Sequence, residues 1–270
     1  MDVILAIVLA MFGAAVGSFL NVCIDRLPVG KSILRPPSHC DSCQHPLSPA
    51  DLVPLFSYLC LRRRCHYCNA PIPWRPFWVE LGTALLFALS YWFFGLSVQF
   101  AVIAFYGSLF LVIGIIDLEH QLILNKISYP AMALALVISI FQPPPGFADT
   151  FSLPWPLYGI INGITGAAIG LVYILIVYYI YLWLRKREGF GIGDFKLVIL
   201  MGLVTGSGMI IVAITLGALI GSAAGIILLL MKKKKWLGCL PFGTFLAIAT
   251  MLTLIWGNDI LGWYLGLLHL

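Results

Sequence analysis

Two aspartates stand where the sequence passes between polar and apolar stretches. Asp117 ends the apolar run Ser108 to Ile116, and Asp194 follows Gly189-Phe190-Gly191-Ile192-Gly193 and opens the next apolar run. An ionisable group inside or at the edge of a membrane span is costly, which makes it a functional candidate by default. Two carboxyls held close together in a poorly hydrated site do not both ionise easily, so the pair shares a proton near neutral pH. One member can then take a proton from water while the other polarises a carbonyl. Such a pair titrates as a unit, and the sequence leaves the two roles unassigned. Gly191 and Gly193 read as an active-site loop, letting backbone approach Asp194 and adopt dihedrals that other residues avoid, with room for an extended substrate. The glycine spacing is not a phosphate loop, because no strand precedes it and no Lys-Ser/Thr pair follows. A plainer reading fits the same residues: Asp194 caps the following helix while Lys196 snorkels to the interface. A third acidic residue, Glu80, is expected in the first turn of an apolar helix, where a carboxylate complements the positive helix end.

A second chemistry is written in cysteine. Cys40-Asp41-Ser42-Cys43 and Cys65-His66-Tyr67-Cys68 form two C-x-x-C pairs separated by 21 residues. Each tight turn points two thiolates at one ion, and the intervening chain closes a tetrahedral zinc site. Metal binding would then contribute folding energy directly to a loop with little core of its own. Two disulfides are the alternative, disfavoured if the loop faces a reducing cytoplasm. His39, His45 and His66 flank the pairs, as ligands in a mixed site or as solvated neighbours. Cys23, Cys60 and Cys239 read as small packing residues.

The elements that must position these groups are membrane helices. With 61% hydrophobic and 10% charged residues and a mean hydropathy of +1.01, the chain departs far from soluble domains. Apolar runs are expected to cross a bilayer at 3–24, 77–94, 98–117, 125–141, 157–184, 195–206, 207–231 and 240–256. The sixth is short, and Thr205-Gly206-Ser207-Gly208 reads as a tight turn or an interrupted helix; a ninth segment near 260–270 is an alternative. The first run lacks a basic segment before it and a small-x-small cleavage site after it, so it reads as a retained helix. The fold class is therefore an all-α polytopic integral membrane protein of about eight transmembrane helices with a small zinc-binding loop domain. Three regions follow: the first helix at 1–24, the four-cysteine loop at 25–76, and a multi-helix membrane domain at 77–270.

All 16 Lys and Arg fall in four loops, at 25–76, near 118–126, at 185–196 and at Lys232 to Lys235. Short cytoplasmic loops accumulate these residues, so the four loops and both aspartates are expected on the cytoplasmic face. The net charge of +5 thus marks one membrane face and suits anionic lipid, with no call for a nucleic-acid partner.

Taken together these residues resemble a family. Gly17-Ser18-Phe19-Leu20-Asn21-Val22 with Arg26-Leu27-Pro28, Pro37-Ser38-His39-Cys40 with Cys43, Cys65 and Cys68, Asp117-Leu118-Glu119-His120-Gln121-Leu122-Ile123, and Gly191-Ile192-Gly193-Asp194-Phe195-Lys196-Leu197 occur in the order found in type IV prepilin peptidases. These are bifunctional leader peptidases and N-methyltransferases of bacterial inner membranes. The resemblance implies a GxGD-type aspartic protease with Asp117 and Asp194 as its catalytic pair. It further implies a prepilin or pseudopilin substrate, and methylation of the new N-terminus from S-adenosylmethionine, whose binding residues the sequence does not identify. One departure is visible: the family's Ile-Pro-Asp/Asn run is Ile123-Leu124-Asn125 here, and loss of the proline is expected to loosen that turn. The alternatives are a peptidase without methylation, a proton-coupled transporter using Asp117, Asp194 and Glu80, and a zinc adaptor without catalysis. A transporter predicts midplane carboxylates and internal repeats, neither of which the sequence offers.

Overall fold

A computed structural model of the chain describes residues 2–142, 155–186, 191–231 and 241–267. The basic run Lys232 to Lys235, Arg187, Gly189, Phe190 and Cys239 lie outside the described residues. The described chain is helical: α1 (Val3–Arg26), α2 (Phe56–Cys60), α3 (Arg75–Phe94), α4 (Val98–His120), α5 (Asn125–Phe141), α6 (Trp155–Arg185), α7 (Ile192–Leu230) and α8 (Phe242–Leu267). Six of these are long and apolar enough to cross a bilayer, and α5 is a shorter apolar helix. Helices answer the demand of such sequences, because each satisfies its backbone hydrogen bonds within itself where no water is present. The packing divides into two compact units, Met1–Val112 and Ile113–Leu270, with the boundary inside α4.

In the first unit α1 lies against α3 through small residues. A Cβ on Gly13 would come within 2.7 Å of the Thr83 carbonyl oxygen, and one on Gly17 within 2.7 Å of the Glu80 Cα. This four-residue spacing lets helix backbones approach in a bilayer, where packing replaces the hydrophobic drive. Asn21 donates from Nδ2 to the Pro76 carbonyl at 3.2 Å, and Arg75 pairs with Asp25 at 2.6 Å, tying the polar ends of the two helices together. Glu80 lies beyond the first turn of α3, which corrects the helix-dipole expectation. Its Oε2 instead accepts the Leu55 N–H at 2.8 Å and braces the loop that precedes α3.

In the second unit the 39-residue α7 is not one straight rod. Gly206 has φ +74° and ψ 177°, a conformation essentially confined to glycine. A Cβ on Gly170 would touch both Val198 and Ile210 at 2.9 Å. Those two residues are about 18 Å apart along a continuous helix, so the chain folds back at Gly206. Helix α7 is thus a hairpin with arms 192–205 and 207–230, matching the expected break near 205–208. With those arms counted separately, the apolar segments number eight among the described residues. The alternative of a ninth segment near 260–270 has no separate element among the described residues, because α8 runs unbroken to Leu267.

The first arm rises about 21 Å, less than the hydrocarbon thickness of about 30 Å, so its turn lies within the membrane layer. Backbone freed there needs a partner. Asn162 of α6, buried at 4% exposure, accepts the Ser207 N–H at 3.0 Å and the Ser207 hydroxyl, capping the second arm from a neighbouring helix. Glycines make that approach possible: a Cβ on Gly166 would lie 2.6 Å from the Gly206 carbonyl carbon, and one on Gly202 2.5 Å from the Ala167 backbone. The second arm then runs antiparallel to α8, with Gly217 against Leu246 and Gly257 against Met209.

Candidate active site and metal centre

Asp117 occupies the last turn of α4, 5% exposed. Its Oδ2 accepts the Thr244 N–H at 2.7 Å and lies 3.2 Å from the Thr244 hydroxyl, which also reaches the Gly114 carbonyl at 2.8 Å. Thr244 is in the first turn of α8, so the carboxyl sits on the positive end of that helix. The approach depends on Gly243, where a Cβ would stand 2.8 Å from Asp117 Oδ2.

Asp194 is arranged in the same way on α7. Gly191 is the N-cap, and Asp194, three residues on, accepts the Gly191 N–H on Oδ2 at 3.0 Å. The helix-end role is therefore real, although Gly191 and not Asp194 holds the cap position. Lys196 does not merely snorkel: its ammonium donates to Asn125 Oδ1 at 2.7 Å and lies 5.6 Å from the Tyr129 ring centre. The two glycines act differently from expectation. Gly191 has an ordinary extended conformation, φ −81° and ψ 157°, and Gly193 lies inside the helix, so neither adopts a dihedral other residues avoid. Gly193 serves by close approach instead, since a Cβ there would be 3.1 Å from Ile123 Cβ.

Ile123 joins the two halves. A Cβ on Gly243 would meet Ile123 Cδ1 at 3.2 Å, so one side chain touches the glycine beside each aspartate. The turn that carries Ile123 begins at Gln121, φ +53°, and ends at Leu124, φ −74°. A proline imposes nearly that last angle. Leu124 thus takes up, without a proline, nearly the angle the family's proline would impose. Each carboxyl commits Oδ2 to a backbone N–H at a helix start, and no hydrogen bond to either Oδ1 is present among the described residues. A buried carboxyl, Asp117, and a half-buried one, Asp194, each anchored through one oxygen, leave the other oxygen open to a substrate or water.

The four cysteines also converge. Their sulfurs lie within 4.8 Å of one another, with Cys40 and Cys68 at 3.8 Å. Zinc–sulfur bonds of about 2.3 Å in a tetrahedron put sulfurs about 3.8 Å apart, so the donor set fits a four-thiolate ion. All described cysteines are free thiols. The backbone N–H groups of Cys43 and Ser42 point at the Cys40 sulfur and pull its thiol down to about 6, favouring the thiolate a metal needs.

The two knuckles are the same hairpin used twice. Cys40 N–H donates to His45 O and Gln44 N–H to Cys40 O; Cys65 N–H donates to Ala70 O and Asn69 N–H to Cys65 O. Gln44 and Asn69 both have φ +58°, and isolated bridges pair His39 with Pro46 and Arg64 with Pro71. The repeat was legible as C-x-x-C-Gln/Asn-x-Pro but is easily passed over in so short a unit. The histidines lie outside the sulfur cluster: His39 contacts Pro37 O, His45 stacks on Tyr67, and His66 meets Asp51 at 3.2 Å. Cys60 is exposed, which corrects its reading as a packing residue, whereas Cys23 is buried.

Comparison with known proteins accords with this geometry. Residues 11–94, which contain all four cysteines, match the bacterial peptidase A24 N-terminal domain, and residues 103–230, which contain both aspartates, match the type IV leader peptidase family. A prepilin leader peptidase/N-methyltransferase of Stutzerimonas stutzeri is 32% identical, covering 94% of this chain and 92% of its own length. The chain belongs to the type IV leader peptidase family. Proteins of the same name from Xanthomonas campestris and Bacillus subtilis are 34% and 31% identical, each matched over more than nine-tenths of both chains. No solved structure matches. Family membership makes the chain a multi-pass membrane enzyme; Gly243, Thr244 and Asn162 are the positions that sequence reasoning passed over. The run Pro241-Phe242-Gly243-Thr244 ahead of an apolar segment was the signal for Gly243 and Thr244, a helix start without an acidic residue.

Proposed function

We infer that this member of the family cleaves the leader of type IV prepilins or pseudopilins and methylates the new N-terminal residue. The observation that carries the reading is the pair of carboxyls, Asp117 buried and Asp194 half-buried, each fixed to a helix start through one oxygen and gathered about Ile123. Two carboxyls within reach of each other's charge share one proton. The ionised member takes a proton from a water between them, the resulting hydroxide attacks the scissile carbonyl carbon, and the protonated member donates to the carbonyl oxygen. As the tetrahedral intermediate collapses, the C–N bond breaks and the amine leaves with a proton returned by the carboxyl that took it. Thr244 and Gly191 hold the acceptor oxygens still, so little reorganisation accompanies the step.

Topology supports the same substrate. Lys126, Arg185, Lys186 and Lys196 stand beside the two aspartates in sequence, which favours the cytoplasmic face of a bacterial inner membrane for that end of the helices. A prepilin anchored by its own apolar helix would present its leader in that layer, which raises the effective concentration of the scissile bond. Zinc on Cys40, Cys43, Cys65 and Cys68 would have all four positions filled by thiolates, with none open to an exchangeable ligand, and would therefore be structural. S-adenosylmethionine would supply the methyl group to the new amine, and no residue of this chain is assigned to hold it. The test incubates purified protein with a model prepilin and measures product mass with and without S-adenosylmethionine. Cleavage in both samples, and a 14 Da gain in the donor sample alone from one added CH₂, is expected. Intact prepilin in both would refute the reading, and cleavage without the gain would leave a peptidase only.

A further inference from the structure

The loop between α1 and α3 carries an apolar surface that the zinc and peptidase readings do not use. Leu52, Val53, Phe56 and Leu59 are 40%, 44%, 65% and 64% exposed, the first two in the turn that leads into the short helix α2 and the last two on α2 itself. The opposite side is closed: Tyr58 is 7% exposed, donates its hydroxyl to Pro73 O at 3.0 Å and stacks on Phe77 at 5.2 Å. These contacts, with the Leu55 N–H bond to Glu80, set α2 beside residues 73–80 rather than above them. The Arg75–Asp25 pair marks the polar edge of the unit, and Glu80 lies about 7.5 Å further along α3, at 1.5 Å per residue. That is the depth at which interfacial amphipathic helices lie, about 5–10 Å into the headgroup and acyl boundary. Trp74 and Trp78, 49% and 59% exposed, flank Arg75 at the start of α3, as aromatic residues do at membrane interfaces. Arg62 and Arg64 follow directly and are exposed, while Arg63 turns in over the Trp74 ring at 4.0 Å.

We propose that residues 52–64 form an interfacial anchor for anionic lipid, with Leu52, Val53, Phe56 and Leu59 in the acyl boundary and Arg62 and Arg64 on headgroup phosphates. The positive charge beside an apolar face at headgroup depth selects a lipid surface over a protein partner. The anchor fixes the height of the four-cysteine loop on the membrane independently of whether metal is bound.

The experiment places a photo-crosslinking phenylalanine analogue at Phe56, in the full chain reconstituted into phosphatidylglycerol-containing or purely phosphatidylcholine vesicles. The same analogue at exposed Asp41, on the first knuckle, is the control. Mass spectrometry after irradiation should find phospholipid adducts at position 56 and few at 41. Adducts at 56 should be richer in phosphatidylglycerol than the bilayer, with the enrichment falling about fivefold for each of Arg62→Glu and Arg64→Glu, the equivalent of about 1 kcal/mol per basic residue. Retained loop bonds are checked by unchanged zinc content. Equal lipid labelling at 41 and 56, protein adducts in place of lipid at 56, or enrichment indifferent to both arginines would overturn the proposal.

Discussion

Gly243 is where a single methyl group should do most harm. In Gly243→Ala the new Cβ would stand 2.8 Å from Asp117 Oδ2, and the carboxyl would have to leave the helix start that orients it. Misplacement of a reacting group by about 1 Å costs on the order of 100-fold in rate, so a kcat loss of that size is expected with the substrate KM little changed. Thr244→Val keeps the backbone N–H bond and removes only the hydroxyl, whose loss corresponds to about 1 kcal/mol and hence a fall in kcat of about fivefold. Steady-state kinetics on both variants check the order of effects; a Gly243→Ala enzyme as active as the parent would mean that Asp117 works from another position. Neither residue was legible beforehand, because a glycine or threonine at a helix start has many ordinary uses. The aspartates themselves were legible, since a carboxyl in an apolar sequence has few.

At the scale of elements the hairpin in α7 is the most exacting feature. Gly206 adopts φ +74° and ψ 177°, so Gly206→Ala should destabilise the chain by about 1–3 kcal/mol, read as a lower thermal midpoint in detergent. Gly262→Ala, where a Cβ meets nothing within 4 Å, is the control and should hold or raise the midpoint. An unchanged midpoint for Gly206→Ala would contradict the fold-back. The break near 205–208 could be read from Gly-Ser-Gly spacing, yet its cap could not, because Asn162 comes from a helix 45 positions away. The knuckles show the reverse case: a C-x-x-C pair is local, so spacing alone located four sulfurs that the fold brings within 4.8 Å. Cys40→Ser together with Cys65→Ser should remove most bound zinc and most methylation while measurable Asp-dependent cleavage persists. Metal analysis and product mass on one preparation decide this. Zinc retained by the double variant would refute the ligand set, and methylation surviving full zinc loss would refute a role for the loop in that step.

At the scale of the whole molecule the account rests on which face carries the basic loops. A reporter thiol placed between 143 and 154 should react with an impermeant reagent added outside intact cells, and one beside Arg187 should not; the opposite pattern would reverse the orientation. Composition, span lengths and charge asymmetry sufficed to read a polytopic helical protein, because a bilayer leaves so few ways to satisfy backbone. The proximity of Asp117 and Asp194 is a different matter: it depends on Ile123 packing against Gly193 and Gly243, contacts with no trace in periodicity. The central claim is that these two carboxyls together hydrolyse the leader bond, and Asn at either place keeps the size and the acceptor oxygen while removing the titrating group. The most direct measurement is leader cleavage of a model prepilin by the full chain bearing Asp117→Asn or Asp194→Asn, at matched membrane insertion. Each variant is expected to lose about 10³-fold in rate, and the double variant little more, since the pair acts as a unit. Cleavage near the parent rate by either single variant would contradict the account.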